Sequence, residues 1–355
     1  MSRMFVPGPV DVAEEVLQAQ TAPMLPHRSK EFEAIYRRAS EKSQGLFYTK
    51  HRVFLTASSG TGLQEAAIRN FVNKHILSIV NGAFADRWWE VAVSNGKDVE
   101  KLAFDWDKPA SPDVVADTLK RGGFEALTVV HNETSTGLQN PVKEIAEAVR
   151  AVAPDTLLFV DAVSSLGGAK IEMDAWGLDM VFTSSQKCLA LPPGLALGAV
   201  SDRAMEKAKS VENRGWYFDF VLLEKHRVKD STPMTPAMSL IYALDFQLDR
   251  ILAEGVEQRI ARHAAMAKRA QEWATAKGWP LLAPEGYRSQ TLTVVRNPES
   301  FDLSAFNKFI APRGLKLANG YGDLKGKTIR IAHMGEINMN DLEQLLAALD
   351  EFSAQ

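Results

Sequence analysis

The sequence predicts an α/β protein with a large, doubly wound, mainly parallel sheet domain and a smaller C-terminal α+β domain. The first indication is that short apolar runs alternate with amphipathic stretches between Val53 and Val200. Such alternation is typical of parallel strands joined by helices that cover both faces of the sheet. The second indication is length, because 355 residues can bury a sizeable core and can hold one large domain plus a smaller one.

Six apolar runs are the predicted strands of the large sheet, and four stretches between them are predicted helices. Short apolar runs indicate buried strands, whereas apolar residues spaced three or four positions apart indicate helices. The strands are expected at residues 53–56, 75–80, 127–130, 157–160, 180–182 and 195–200, and the helices at 64–73, 87–93, 114–120 and 142–152.

The C-terminal part of the sequence predicts helices that lead out of the large domain into a smaller unit. Two helical stretches are separated at Glu254-Gly255, which sets the predicted domains at 1–253 and 254–355. The first fifty residues are rich in proline and charge, and we expect them to wrap or bridge rather than to form a core. The helices are expected at residues 238–252, 256–276, 303–310 and 339–352, and the strands at 292–295 and 328–331.

The composition excludes several classes of protein. A formal charge of −3 and 24% charged residues give no reason to expect nucleic acid or a membrane surface as a partner. The single cysteine, Cys188, excludes an intramolecular disulfide and a cysteine-rich metal site, and no metal is expected. The N-terminal residues have no apolar stretch typical of a signal peptide, so the expected location is cytoplasmic.

Two residues at predicted strand ends carry the first functional indication. Asp161 follows the apolar run 157–160, and Lys187 follows the apolar run 178–182 through a short polar segment. Since ligands of open α/β sheets bind at the carboxyl ends of the strands, we expect both side chains at one sheet edge. Pyridoxal phosphate needs a carboxylate for its ring nitrogen and an amine for its aldehyde. Lys187 would then also act as the general base that moves the substrate α-proton.

The segment Ser58 to Gly62 lies between a predicted strand and a predicted helix, where an anion site is expected. Unpaired N–H groups at the helix start, with the hydroxyls of Ser59 and Thr61, suit a phosphate. The alternative is an ordinary helix cap with glycines for a tight turn. Asp161 and Lys187 have equally plain alternatives, a turn cap and a solvated loop lysine. The joint occurrence of all three features favours a shared ligand.

Seven motifs in order along the chain resemble the landmarks of class V aminotransferases of fold type I, in particular alanine–glyoxylate and serine–pyruvate aminotransferases. The resemblance extends over nearly the whole length. The motifs are Pro7-Gly8-Pro9, Ser59-Gly60-Thr61, Asn81-Gly82-Ala83-Phe84, His131 to Gly137, Val160 to Gly168, Ser185-Gln186-Lys187 and Arg330 to Gly335.

The resemblance implies pyridoxal 5′-phosphate as the cofactor and gives each matching residue a role. Phosphate contacts, ring contacts, a residue of the neighbouring subunit and a substrate-carboxylate arginine are all implied, and with them a homodimer. Relatives often have a tyrosine three residues before Thr235, where this chain has Thr232. The implied residues are Ser59, Gly60, Thr61 and Gln186 for the phosphate, Phe84 and Val163 for the two ring faces, Thr134 for the phenolic oxygen, Asp161 and Lys187 for catalysis, Thr235 from the neighbouring subunit, and Arg330 for the substrate.

The expected activity is transfer of the amino group of a small L-amino acid, alanine or serine, to a 2-oxo acid, glyoxylate or pyruvate. His27-Arg28 resembles a substrate-phosphate contact of phosphoserine aminotransferases, so a phosphoserine or aspartate aminotransferase, or a lyase of the same fold, stays open. A catalytically inert subunit is the third alternative, disfavoured because Asp161, Lys187 and Arg330 are all present. Cys188, His131 and His333 are expected to have packing or structural roles.

Overall fold

The computed structural model describes residues 3–298 and 301–354 of the chain, so positions 1, 2, 299, 300 and 355 of the predicted domains lie outside the described residues. The described chain forms thirteen strands and twelve α-helices, with short 3₁₀ turns at Ala311–Arg313 and Gly322–Leu324. The strands are β1 Arg3–Phe5, β2 Arg52–Thr56, β3 His75–Val80, β4 Asp98–Ala103, β5 Ala126–Val130, β6 Asn132–Glu133, β7 Leu138–Gln139, β8 Leu157–Asp161, β9 Met180–Ser184, β10 Ala196–Val200, β11 Leu292–Arg296, β12 Leu315–Asn319 and β13 Thr328–Ala332.

The helices follow the predicted periodicity closely in the middle of the chain. They are α1 Glu14–Ala19, α2 Lys30–Phe47, α3 Gly60–Phe71, α4 Ala83–Ser94, α5 Pro112–Leu119, α6 Val142–Val152, α7 Asp202–Lys209, α8 Phe220–Arg227, α9 Met238–Glu254, α10 Val256–Ala276, α11 Leu303–Ile310 and α12 Met339–Ser353.

Seven strands form the large sheet, in the order β2-β10-β9-β8-β5-β3-β4. The five strands β9, β8, β5, β3 and β4 run parallel to one another. Strand β10 is antiparallel to both of its neighbours, β2 and β9. The predicted mainly parallel sheet is therefore confirmed. All six predicted strands are present, and β4 adds an edge strand that was not predicted.

Both faces of the large sheet are buried, because successive residues of its strands enter two different cores. Along β8, Leu158 and Val160 pack in one apolar cluster, while Leu157 and Phe159 pack in another. Side chains alternate between faces along a strand, so an unbroken apolar run indicates burial on both sides. The sheet is doubly wound, as predicted.

A smaller sheet of four strands, in the order β1-β12-β13-β11, packs its own apolar core against α10, α11 and α12. Here β1 pairs in parallel with β12, from Arg3 opposite Leu315 to Phe5 opposite Leu317. The predicted boundary placed residues 3–5 with the large domain, whereas backbone hydrogen bonding joins them to the small sheet. The division at 253/254 otherwise stays a prediction.

The expectation that the first fifty residues form no core was wrong for helix α2. Helix α2 buries Phe32, Tyr36 and Phe47 in the core of the large domain, next to β2 and α9. Its charged residues lie on the outer face, which is why a count of charges suggested a bridging segment. Before α2, strand β1 belongs to the small sheet, whereas Val16 of α1 packs in the core of the large domain.

Candidate functional site

A cavity of about 230 Å³ lies at the carboxyl ends of the parallel strands, where ligands of open α/β sheets bind. Nine of the eleven predicted site residues line it, and they come from five separate segments of the chain. They are Ser59, Gly60, Thr61, Phe84, Thr134, Asp161, Val163, Gln186 and Lys187.

Asp161 ends β8 and is almost fully buried, with 5% of its surface exposed. One carboxylate oxygen accepts a hydrogen bond from the Gln64 side-chain amide at 2.8 Å, and the other accepts one from the Val163 backbone N–H at 2.9 Å. Burial raises the pKa of Asp161 to about 6, although these two hydrogen bonds oppose the shift. The carboxylate is thus held by two hydrogen bonds at the cavity, and no cation among the described residues forms an ion pair with it.

Lys187 enters the cavity three residues after the end of β9. Its Nζ donates a hydrogen bond to the carbonyl oxygen of Pro7, in the N-terminal segment that crosses the site. Burial, followed by the positive charge of Arg330, lowers the pKa of Lys187 to about 8. A fraction of the amine is therefore neutral near physiological pH, and the neutral amine is the form that reacts with a carbonyl group.

Gly8 is required where the N-terminal segment passes over Lys187. Its φ of +111° lies in the region that favours glycine, and a Cβ added there would lie 2.7 Å from Lys187 Cδ. The motif Pro7-Gly8-Pro9 thus serves the site through close backbone approach.

Ser59, Gly60 and Thr61 form the turn from which α3 begins. The Ser59 side chain accepts no capping hydrogen bond from the helix, so the plain cap alternative finds no support. A Cβ at Gly60 would lie 2.3 Å from Val163 Cγ2, which shows how closely the turn approaches the loop after β8. The start of the helix faces the cavity, where its N–H groups and dipole favour an anion.

Phe84 is placed at the cavity by the way α4 begins. Glu133 accepts hydrogen bonds from the backbone N–H groups of Phe84 and Ala85, both at 3.0 Å, and from the Ser135 hydroxyl at 2.6 Å. Burial raises the pKa of Glu133, and these hydrogen bonds oppose that shift. A Cβ at Gly82 would lie 2.2 Å from Glu133 Cγ, so the motif Asn81-Gly82-Ala83-Phe84 needs its glycine.

Four buried oxygen atoms on the cavity wall have no hydrogen-bond partner within the part of the chain that the structure describes. They belong to residues from three segments of the chain, all of which line this cavity. They are Gln64 Oε1, Asn132 Oδ1, Ser184 Oγ and Gln186 Oε1. Since buried polar atoms are nearly always paired, the wall is suited to a polar ligand that supplies the missing partners.

Arg330 lies on β13 of the small sheet, and its positive charge acts on Lys187 in the cavity. Its Nε donates to the carbonyl oxygen of Asn319 at 2.7 Å. Burial lowers the pKa of Arg330 to about 10. Within residues 3–298 and 301–354, no carboxylate forms an ion pair with it. A cation that is partly buried and lacks a counter-ion is a suitable partner for a carboxylate ligand.

Thr235 is the predicted site residue that lies farthest from this arrangement. It is exposed and belongs to a separate small pocket with Thr232 and Tyr217, outside the cavity of its own chain. A role for Thr235 at a cofactor therefore requires a second copy of the chain. His27 and Arg28 are likewise absent from the cavity wall.

Sequence reasoning missed several residues of the cavity, above all Gln64 and Arg87. Gln64 lies four positions after Gly60, and Arg87 lies three positions after Phe84, so each shares a helix face with a predicted site residue. Residues with this spacing are neighbours on a helix surface. That spacing was the signal that could have identified both.

The comparison with known families settles what kind of protein this is. Residues 11–320 match the family model described as aminotransferase class-V, which covers most of the chain. The chain belongs to the class V aminotransferases. The predicted family and fold are thus confirmed, and the aminotransferase catalyses a transamination.

Related proteins and structures agree with this assignment. An aminotransferase of Methanocaldococcus jannaschii, named as uncharacterized, is 38% identical over 98% of this chain and 91% of its own. The L-aspartate–glyoxylate aminotransferase of Paracoccus denitrificans is 34% identical over 94% and 86%. The crystal structure of an alanine–glyoxylate aminotransferase from Nostoc sp. has a TM-score of 0.92 at 31% identity, covering 99% of this chain and 95% of that one.

The family implies pyridoxal phosphate, and the cavity of this aminotransferase fits that group. The helix start suits its phosphate, Asp161 suits its ring nitrogen, Lys187 suits its aldehyde, and the unpaired wall oxygens suit its polar substituents. Cys188 is fully buried, and burial raises the pKa of its thiol to about 11, in keeping with the expected packing role. Among the described residues, no helix is both long enough and apolar enough to cross a membrane.

Proposed function

We propose that this class V aminotransferase moves the amino group of a small L-amino acid, alanine or serine, to glyoxylate or pyruvate. The observation that carries the proposal is one cavity that holds a buried carboxylate and an amine with a lowered pKa, Asp161 and Lys187, beside the unpaired cation Arg330. The alanine–glyoxylate name of the Nostoc structure supports the choice of substrates.

Pyridoxal phosphate, when bound, supplies an aldehyde for the substrate amine and an electron-withdrawing ring for the substrate α-carbon. In the proposed arrangement, the residues of this chain hold it by its phosphate, its ring faces and its ring nitrogen. The holding residues are Ser59, Gly60, Thr61 and Gln186 at the phosphate, Phe84 and Val163 at the ring faces, Thr134 at the phenolic oxygen, and Asp161 at the ring nitrogen.

Lys187 carries the proton in this proposal. With a pKa of about 8, its Nζ can both accept and release a proton near neutral pH. The carbonyl oxygen of Pro7 accepts a hydrogen bond from this amine and so fixes its direction. Lys187 thus removes the α-proton of the amino acid and returns a proton in the second half of the reaction.

The Arg330→Gln variant is expected to raise KM for the amino donor and for the 2-oxo acid about tenfold to a hundredfold. The loss of two charge-assisted hydrogen bonds to the substrate carboxylate sets this magnitude. Cofactor binding, measured by absorbance, should not change. Arg296→Gln on the neighbouring strand β11 is the matched control, since Arg296 is exposed and pairs with Asp107. Equal effects of both variants on KM would contradict the role of Arg330.

We further propose a homodimer in the cytoplasm, in which Thr235 of each subunit serves the site of its neighbour. The exposure of Thr235 and its position outside its own cavity support this, since the residue is accessible to a second chain. Sedimentation of the purified protein tests the dimer.

The decisive experiment is a panel of amino donors and acceptors. Alanine, serine, aspartate and phosphoserine are each tested against glyoxylate, pyruvate and 2-oxoglutarate, with the products identified by mass spectrometry. We expect alanine or serine with glyoxylate or pyruvate to give a kcat/KM at least about tenfold above the other pairs. Ammonia and pyruvate from serine without an acceptor would indicate a lyase, and no turnover at all would indicate an inert subunit.

A second candidate function, an aspartate aminotransferase, is favoured by Arg87. This residue lines the cavity, and none of the described carboxylates forms an ion pair with it. A side-chain carboxylate of aspartate would supply that partner. The name of the Paracoccus relative supports the same substrate. The donor panel separates the two candidates, because this one predicts that aspartate exceeds alanine and serine.

A further inference from the structure

Tyr321, in the loop between β12 and β13, lies where the small domain contacts the edge of the cavity. Its ring stacks on the ring of Phe84, with centroids 5.2 Å apart and planes 15° from parallel. Its hydroxyl accepts a hydrogen bond from Arg87 Nη2 at 2.7 Å. Phe84 and Arg87 both line the cavity, so one side chain of the small domain contacts two residues of the cavity wall.

The same ring also contacts Arg330. The guanidinium carbon of Arg330 lies 5.6 Å from the Tyr321 ring centroid, within the range of a cation–π interaction. The Arg330 Nε bonds to the backbone of Asn319, two residues before Tyr321. The loop therefore holds this guanidinium through the ring and through the backbone.

The loop that carries Tyr321 is internally braced. The Asn319 side-chain oxygen accepts backbone N–H groups from both ends of the loop, from Gly320 at 2.7 Å and from Gly326 at 2.8 Å. A Cβ at Gly320 would lie 2.0 Å from the carbonyl oxygen of Leu324, so the chain turns tightly there. These bonds within the loop fix the backbone from which the Tyr321 ring extends.

The loop backbone itself approaches the start of α4. Gly322 has a φ of +58°, and a Cβ there would lie 3.6 Å from the Cβ of Ala83, the residue before Phe84. The ring stack is thus part of a wider contact between the loop and the helix that bears Phe84. The contact joins the loop between β12 and β13 of the small sheet to helix α4, which packs on the large sheet.

We propose that Tyr321 is a positioning residue for the transamination, whose ring holds Phe84 and Arg330 in one fixed arrangement. The inference rests on the proposed function, which assigns Phe84 to the cofactor ring and Arg330 to the substrate carboxylate. The hydrogen bond from Arg87 anchors the tyrosine hydroxyl at the cavity wall. A single side chain then positions both Phe84, which faces the cofactor, and Arg330, which faces the substrate.

The test uses the Tyr321→Ala and Tyr321→Phe variants of the full chain. Removing the ring is expected to raise the dissociation constant of pyridoxal phosphate from the apoprotein about threefold to tenfold, the range typical of one aromatic pair. Quenching of tryptophan fluorescence measures this constant without turnover. KM for the amino donor should rise about tenfold while kcat stays within about threefold, because Arg330 loses its support but the reacting groups are intact.

The Tyr321→Phe variant keeps the stack and loses only the bond to Arg87, so its cofactor affinity should lie within about twofold of the wild type. Tyr287→Ala is the matched control, because Tyr287 lies on the small domain with 38% of its surface exposed, against 37% for Tyr321. Should the alanine variant fail to fold, Tyr321→Leu takes its place, since leucine keeps apolar bulk without an aromatic face.

A double-mutant cycle between Tyr321→Leu and Phe84→Leu tests the coupling directly. Residues in contact give non-additive effects, so the second substitution should change cofactor affinity much less once the first is present. Additive effects, or a Tyr287→Ala variant that shifts KM and affinity equally, would overturn the inference. An active wild type with unaffected Tyr321 variants contradicts only this inference, whereas a wild type without turnover on any donor contradicts the proposed function.

Discussion

The Lys187→Ala variant is expected to lose at least about a thousandfold of the transaminase activity, because it lacks both the proposed attachment point of the cofactor and the proposed general base. The structure leaves no substitute for it, since Lys187 is the only lysine on the cavity wall that the described residues form. The purified wild type should be yellow, and borohydride should fix the cofactor to Lys187. Peptide mass spectrometry then locates the modification.

Lys97→Ala is the matched control for this experiment. Lys97 is also partly buried with a lowered pKa, but it bonds to the backbone carbonyls of Val72 and Asn73, far from the cavity in the fold. Its loss should leave both the colour and the rate unchanged. A colourless Lys187→Ala variant with full activity would refute the assignment of Lys187, and with it the central part of the proposed function.

The fold was predictable where a strand is buried on both faces. Runs such as residues 157–160 are apolar at every position because successive side chains pack alternately into two cores, one on each face of the sheet. Such runs are visible in a single sequence. In the edge strand β4, Asp98 to Ala103, every residue is partly or fully exposed, and three of the side chains are charged. Edge strands with charged side chains have no apolar pattern, so this one could not be recognised.

The site was predictable only where a residue follows a strand end or a recognisable motif. Asp161 and Lys187 satisfy this condition, and their meeting in one cavity follows from sheet topology. Tyr321 has no such signal, since it lies 237 positions after Phe84 and contacts it only because the small domain packs against α4. Contacts of this kind arise from tertiary packing, which no local spacing reveals.

The N-terminal segment shows the same limit. Residues 3–5 add a strand to a sheet whose other strands begin near residue 292, and Pro7 then contacts Lys187. Pairing between segments so far apart is set by the shape of the finished domain. Sequence alone placed these residues with their nearest neighbours in the chain, because it carries no signal of their pairing with β12.

The Asp161→Asn variant is expected to lower kcat about a hundredfold to a thousandfold, the cost of removing one preorganised electrostatic partner from a reaction centre. Asparagine has nearly the same shape, and its side-chain oxygen can still accept from the Val163 N–H. The Gln64 amide has to turn so that its oxygen accepts from the new NH2 group, and the negative charge proposed to face the cofactor nitrogen is lost. The ring would then no longer stay protonated and would withdraw electrons less well. Steady-state kinetics at pH 7.5 measures this, and an unchanged kcat would contradict the role of Asp161.

The same substitution should stabilise the apoprotein, which separates a functional role from a structural one. Because burial raises the pKa of Asp161 from its usual value near 4 to about 6, the folded apoprotein favours the neutral carboxyl. That stability is present below pH 4 and is lost as the pH rises through 6.

At pH 7.5 the Asp161→Asn apoprotein should therefore unfold in urea with a free energy of unfolding higher than that of the wild type by on the order of 2 kcal/mol. The difference should shrink towards zero at pH 4. A variant that is less stable at both pH values would show that Asp161 serves the fold, whereas higher stability together with lost turnover is what a carboxylate kept for its charge requires.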